Sequence, residues 1–294
     1  MDAQLGKCLR RAAGVFGCSM ALFLLSFGSA RADALSGWST MASYLAAMSQ
    51  RSPAQTASDL AAVRTAVFET MNFVEGRYVP RFLVRQPAPL APSSEAAAVG
   101  AAHYVLTQLY PERKALLDVA FKGFLLVSRD PEAASRASVW GRHLGGNVYA
   151  SVRTDRSPDG VDVGIAGKED ADAWNSDLTR FLEAKELEPI ERARILALVS
   201  MAVRDVYSAA DEAKAGSGIA ACVSCAIGTA IRVIVEAEFG TEKIAGGGTT
   251  NGTPGWLRVR SDAAAALGDR PDKAGEEMGR MIGLQALTYY RPVR

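Results

Sequence analysis

The stretch from Asp59 to Arg77 reads DLAAVRTAVFETMNFVEGR, with apolar residues recurring every three or four positions. One helical face would carry Leu60, Val63, Val67, Met71 and Val74. This spacing predicts an α-helix, because residues three and four positions apart lie on the same side of a helix. Thr56 or Ser58 can cap its N-terminus, and Pro80 follows soon after its end.

The rest of the chain repeats this spacing and is rich in alanine. Further helices are predicted at 94–109, from 111 onward, and at 130–153, 170–184, 189–214, 219–239 and 272–290. Alternating patterns typical of strands are nearly absent. We therefore expect an all-α helical bundle that forms a single domain over residues 33–294.

Residues 1–32 have the features of a secretory signal peptide. Three basic residues precede an apolar run at 12–27, and Ala30-Arg31-Ala32 follows as a small-residue cleavage pattern. The alternative is a membrane anchor, but the run is short for a membrane span. We therefore expect a periplasmic or secreted protein, with no stable membrane insertion after the signal is removed.

The charge balance and the histidine content exclude several classes of function. The chain has 33 Lys and Arg against 32 Asp and Glu, which gives a formal charge of +1. A near-neutral chain lacks the basic surface that nucleic acids require, so we expect no nucleic-acid partner. The only two histidines, His103 and His143, lie in predicted scaffold helices and lack metal-ligand spacing. We expect both to be structural and no metal site to be present.

Four stretches, taken in order, resemble the vanadium-dependent haloperoxidase and type 2 phosphatidic acid phosphatase superfamily, and its bacterial haloperoxidase-like branch in particular. They are AVRTAVFETMNFVEGRYVP at 62–80, the alanine-rich segment at 94–111, the segment at 191–214 and VEAEFGT at 235–241. The resemblance implies a helical bundle of the haloperoxidase-like type. It also implies a vanadate or phosphate site made of Lys, Arg and two histidines, one of which attacks the oxyanion.

The motifs that carry this chemistry are degenerate in the present sequence. Lys214 stands where the first motif has its lysine, but Ala221 and Cys222 replace the Arg-Pro that should follow. The segment at 221–225 lacks the histidine of the Pro-Ser-Gly-His motif, and Leu267 holds the place of the last histidine. The resemblance therefore implies the fold without the activity, and no cofactor, although vanadate or phosphate would be the ligand of an intact site.

Three cations are candidates for a residual anion site. Lys214 is one, and Arg258 and Arg260 beside Trp256 are the others. A pair of arginines near a tryptophan is more typical of a surface strand or loop. The assignment therefore rests on the resemblance for Lys214 and on charge alone for the arginines.

Cys222 and Cys225 form the sharpest remaining motif. In an oxidising compartment two nearby thiols tend to pair, which predicts a structural disulfide at the start of a helix. A redox-active pair is a second interpretation, because a helix N-terminus lowers the pKa of a thiol. A metal half-site is a third.

These observations favour a non-catalytic binding or accessory protein rather than an enzyme. Its partner would be a small anionic ligand or another protein, and its helical faces would also suit a homo-oligomer. The alternative is a diverged phosphoesterase or haloperoxidase-type enzyme with relocated histidines, or a thiol–disulfide protein that uses Cys222 and Cys225.

Overall fold

The computed structural model describes residues 34–49, 51–83, 93–154, 164–217, 222–240 and 273–293, and the backbone alone for 164–173. The predicted signal peptide, Leu267, Arg258 and Arg260 lie outside the described residues. Nine α-helices make up most of the described chain. They are α1 (Ala34–Met48), α2 (Pro53–Glu75), α3 (Ser94–Leu109), α4 (Lys114–Val127), α5 (Pro131–Thr154), α6 (Gly164–Glu183), α7 (Pro189–Ser217), α8 (Val223–Phe239) and α9 (Lys273–Ala286).

A short 3₁₀ helix at Pro111–Arg113 leads into α4. Within the described ranges, β pairing is limited to one isolated antiparallel bridge between Tyr78 and Pro292. The predicted all-α single domain is confirmed. No helix in these ranges combines the length and the apolar character that crossing a lipid bilayer requires.

Helix α2 is the centre of the bundle and packs against α1, α3, α5, α6 and α7. It begins six residues before the predicted Asp59, because Ser52 caps it in a reciprocal pair with Gln55 and Pro53 occupies its first turn. The predicted caps, Thr56 and Ser58, therefore lie inside the helix. It ends at Gly76, whose left-handed backbone (φ 68°) suits glycine.

The apolar face predicted for α2 is only part of its buried surface. Three of its five residues are buried, whereas Val67 and Val74 are half-buried. The polar residues Arg64, Thr65 and Glu69 are buried as well. Because five helices pack around α2, these polar residues must find partners inside the protein.

Two helix pairs pack with their backbones nearly in contact. A Cβ added to Gly100 or Gly141 would lie 2.1 Å from the carbonyl oxygen of Ser138 or 1.8 Å from that of Ala97, across the contact between α3 and α5. In the α8–α9 pair, a Cβ on Gly279 would lie 2.1 Å from a carbonyl oxygen of the facing helix. The absence of a side chain at these glycines allows the two helices of each pair to approach closely.

The other helix boundaries match the predictions to different degrees. The predictions for α3, α4, α5 and α7 are confirmed to within a few residues, because their capping and proline signals are local. By contrast, α6 begins earlier than predicted, α8 begins later and α9 ends earlier. Helix α1 was missed, although Trp38, Met41 and Leu45 are buried at helical spacing.

The Glu-x-x-Asn part of the 62–80 segment has a structural role. The Asn72 side chain donates to the Tyr78 carbonyl and accepts from the Tyr78 N–H, both at 2.8 Å. The Glu69 Oε1 accepts the N–H groups of Arg81 at 2.9 Å and Phe82 at 3.4 Å. These bonds hold 78–82 against α2, where the bridge to Pro292 also fastens the C-terminal segment.

Candidate functional site

The structure describes only part of the anion site predicted from the sequence. Lys214 is exposed in the last turn of α7. Arg258 and Arg260 lie outside the described residues, so their association with Lys214 stays a prediction.

The contacts of His103 favour a structural role. The residue is buried, its Nε2 lies 2.9 Å from Asp118 Oδ1, and its ring stacks on Phe121 with centroids 4.5 Å apart. Burial lowers the pKa of His103, and the hydrogen bond to Asp118 only partly opposes this. His143 lies exposed on α5, so the two histidines are in different environments.

Cys222 and Cys225 are joined by a disulfide, as the structural interpretation predicts, with their Cα atoms 5.3 Å apart. The sulfur of Cys222 also caps α8, since it accepts the N–H of Cys225 at 3.2 Å. Cys222 is only 6% exposed. A redox-active pair needs an accessible first sulfur, so this burial favours a structural bridge. Within the described residues, no group of three His, Cys, Asp or Glu side chains could hold a metal ion.

A cleft between α2, α6, α7 and α8 is a candidate for a binding site. It contains about 440 Å³ of space not filled by atoms, including the part that is open to solvent. Its walls are mostly apolar, with a few polar groups. The lining residues are Thr56, Ala57, Leu60, Arg64, Trp174, Asn175, Leu178, Val199, Ser200, Val203, Ile227 and Ile231. This combination of apolar walls and few polar groups is typical of small-molecule sites.

Arg64 supplies the only charge among these lining residues. Its side chain is 5% exposed and donates to neutral oxygens from three other helices. The acceptors are Ser200 Oγ at 2.9 Å, Ser39 Oγ at 3.4 Å and Asn175 Oδ1. The Nε of Arg64 has no hydrogen-bond partner among the described residues.

No carboxylate in the described part of the chain pairs with Arg64. A second cleft lies against the same guanidinium and is lined by another cation, Arg192, and by no acidic residue. Burial lowers the pKa of Arg64 to about 10, so the group still carries its charge at neutral pH. Among the described residues, therefore, no negative charge balances the buried positive charge of this cleft.

The described lining of this cleft offers hydrogen bonds, one positive charge and apolar contacts. Its two hydroxyl groups belong to Thr56 and Ser200, and no His, Cys, Asp, Glu or Lys is among the lining residues that the structure describes. A hydroxyl nucleophile needs a neighbouring base to remove its proton. Arg64 cannot serve as that base, because it stays protonated.

The sequence analysis did not identify Arg64, Asn175 or Ser200 as site residues. The available signal was an arginine inside the apolar run LAAVRTAVF at 60–68. A charge so placed in a helix must either reach solvent or be buried with partners.

Comparison of the chain with protein-family models, with curated proteins and with solved structures finds no match.

Proposed function

We propose that this chain is an exported helical protein with a haloperoxidase-like scaffold that binds a small molecule without transforming it. The cleft between α2, α6, α7 and α8 is the binding site. The observation that carries this proposal is Arg64, a buried cation that faces the cleft among neutral groups. The described lining places no base and no nucleophile–base pair beside it.

The scaffold part of the proposal rests on the resemblance and on where the resembling segments lie. They contribute to α2, α3, α7 and α8, all of which pack into the core. Glu69 and Asn72, which belong to the first of these segments, have backbone-binding roles that do not need an active site.

The non-catalytic part rests on the chemistry of the missing motifs. Val223 and Cys225 lie in the first turn of α8, in the region where the family has a histidine. Cys225 forms the disulfide with Cys222. His103 is hydrogen-bonded to Asp118 and lies more than 100 residues before the degenerate motifs at 214–225. Lys214 lacks the arginine that the family has seven residues later.

The test combines a binding screen with two activity assays on the purified protein. We expect small molecules from a mixed panel of anionic and neutral compounds to raise the melting temperature, because a ligand that binds only the folded state stabilises it. We expect neither vanadate-dependent bromide oxidation nor phosphate-ester hydrolysis. Turnover that disappears in Lys214→Ala would favour a diverged enzyme instead.

A pair of matched variants assigns any binding to the cleft. Val203 is half-buried and lines the cleft, so Val203→Phe should fill it and abolish the ligand-induced stabilisation. Val139 is 64% exposed on α5, and Val139→Phe should leave the stabilisation unchanged. Equal ligand responses in both variants would place the binding elsewhere.

Export has its own test. Sequencing the N-terminus of the protein from a periplasmic fraction should identify Asp33 as the first residue. Recovery of the chain in the membrane fraction with Met1 intact would contradict the proposed signal peptide.

A further inference from the structure

We propose that the ligand of the cleft is a small monovalent carboxylate with a short aliphatic chain, whose charge contacts the guanidinium of Arg64. This inference rests on the proposed function, because it names the ligand class of the same site. The position differs from the one predicted at Lys214. Ser200 and Lys214 are both on α7, and 14 residues of helix place them roughly 21 Å apart along its axis.

Charge is the first argument for an anion. A buried cation is normally paired with a carboxylate, because neutral hydrogen bonds replace only part of the solvation that it loses. Two other arginines follow this rule here: the buried Arg204 pairs with Asp205, and the half-buried Arg194 pairs with Glu238. Within the described residues, Arg64 has the oxygens of Ser39, Asn175 and Ser200 as its hydrogen-bond partners. A bound anion would supply the missing negative charge.

Unused donors are the second argument. A guanidinium has five N–H donors, and the described contacts of Arg64 use three of them. Its Nε–H has no acceptor within the described residues. The Ser200 hydroxyl accepts from Arg64, and its own O–H meets no acceptor in the same part of the chain. These donors suit the two oxygens of a carboxylate.

The apolar walls are the third argument, and they favour an aliphatic chain over an inorganic ion. Leu60, Trp174, Ile227 and Ile231 line the cleft around the polar end formed by Arg64. A carboxylate with a short hydrocarbon chain would place its charge on Arg64 and bury the chain against these side chains. Nitrate would satisfy the charge but leave the apolar walls uncovered.

The experiment is a calorimetric titration of the full protein with butyrate, with the neutral isostere butyramide and with nitrate. We expect butyrate to bind at least tenfold more tightly than butyramide and more tightly than nitrate. Because the proposal involves binding without a chemical reaction, the heat measured is that of binding alone.

Two isosteric variants test the role of Arg64. Asn175→Asp places a carboxylate where the amide oxygen already accepts from Arg64. The new carboxylate should pair with the guanidinium in place of the ligand and weaken butyrate binding at least tenfold. Because it adds an internal counter-charge, it should also raise the melting temperature of the ligand-free protein. Asn147→Asp adds the same charge at an exposed position on α5 and should change butyrate affinity less than twofold. Arg64→Gln should also lose the butyrate preference.

The outcomes separate this inference from the proposed function. Equal binding of butyrate and butyramide, or a response of Asn175→Asp no larger than that of Asn147→Asp, would overturn the carboxylate proposal and leave a neutral-ligand site. Tighter binding of nitrate than of butyrate would overturn the aliphatic part. Failure of these compounds and of every member of the mixed panel to bind would overturn the proposed function itself.

Discussion

Substituting Gly141 by alanine tests the close packing of α3 against α5. The added Cβ would lie 1.8 Å from the carbonyl oxygen of Ala97 and 2.5 Å from its carbonyl carbon. Ordinary contacts of this kind are about 3.4 Å or longer, so the two helices would have to separate locally by about 1.5 Å. Neither obstructing atom can rotate away, because both belong to the backbone of a helix.

The expected loss of stability is large for the addition of one methyl group. Overpacking a core typically costs about 1–3 kcal/mol, and the backbone obstruction places Gly141→Ala at about 3 kcal/mol or more. Replacing glycine by alanine inside a helix returns about 0.5–1 kcal/mol. The net loss is therefore at least about 2 kcal/mol, which corresponds to a fall in Tm of about 4–8 °C for a chain of this size.

Gly123 provides the matched control, because a Cβ added there meets nothing within 4 Å. It lies in α4, so Gly123→Ala should raise stability by about 0.5–1 kcal/mol through helix propensity alone. Both variants would be unfolded by heat and by urea, with helicity followed by circular dichroism. A Gly141→Ala variant as stable as the wild type would refute the close approach of α3 and α5.

Three further predictions concern single contacts. Asn72→Ala should lower the free energy of unfolding by about 1–3 kcal/mol, because it leaves the backbone groups of Tyr78 without partners; urea denaturation measures this. Burial lowers the pKa of His103, so the unfolded chain gains a proton below about pH 6.5 that the folded chain does not. Stability should therefore fall between pH 7.5 and pH 5.5, and less so in His103→Gln; a fall of equal size in that variant would assign the effect to other groups. Replacing both Cys222 and Cys225 by serine should lower stability by about 2 kcal/mol from the lost loop constraint, while the serine at 222 preserves the helix cap. An unchanged melting temperature in reducing buffer would contradict that estimate.

The helices could be predicted from the sequence wherever their signals are local. Ser93 caps α3 through the N–H of Ala96, and Pro131 opens α5, so both boundaries depend on residues within one turn. The start of α8 was misplaced, because its cap is the sulfur of Cys222, a residue type outside the usual caps. Ser52 and Gln55 form a capping box at the start of α2 that is recognisable in the sequence. The start was predicted six residues too late, because the prediction relied on the apolar run that begins further along the chain.

The sequence by itself determined the all-α class and most helix boundaries, because periodicity and caps act over short distances. The spacing of Cys222 and Cys225 made a disulfide one of three interpretations. Only the tertiary structure decided that these cysteines pair, that α2 lies among five other helices and that Arg64 faces a cleft. The partners of Arg64 stand 25, 111 and 136 residues away in sequence, on α1, α6 and α7. Whether a charge inside an apolar helix reaches solvent or remains buried without a counter-charge depends on which helices pack around it. That packing is a property of the whole bundle rather than of any one segment.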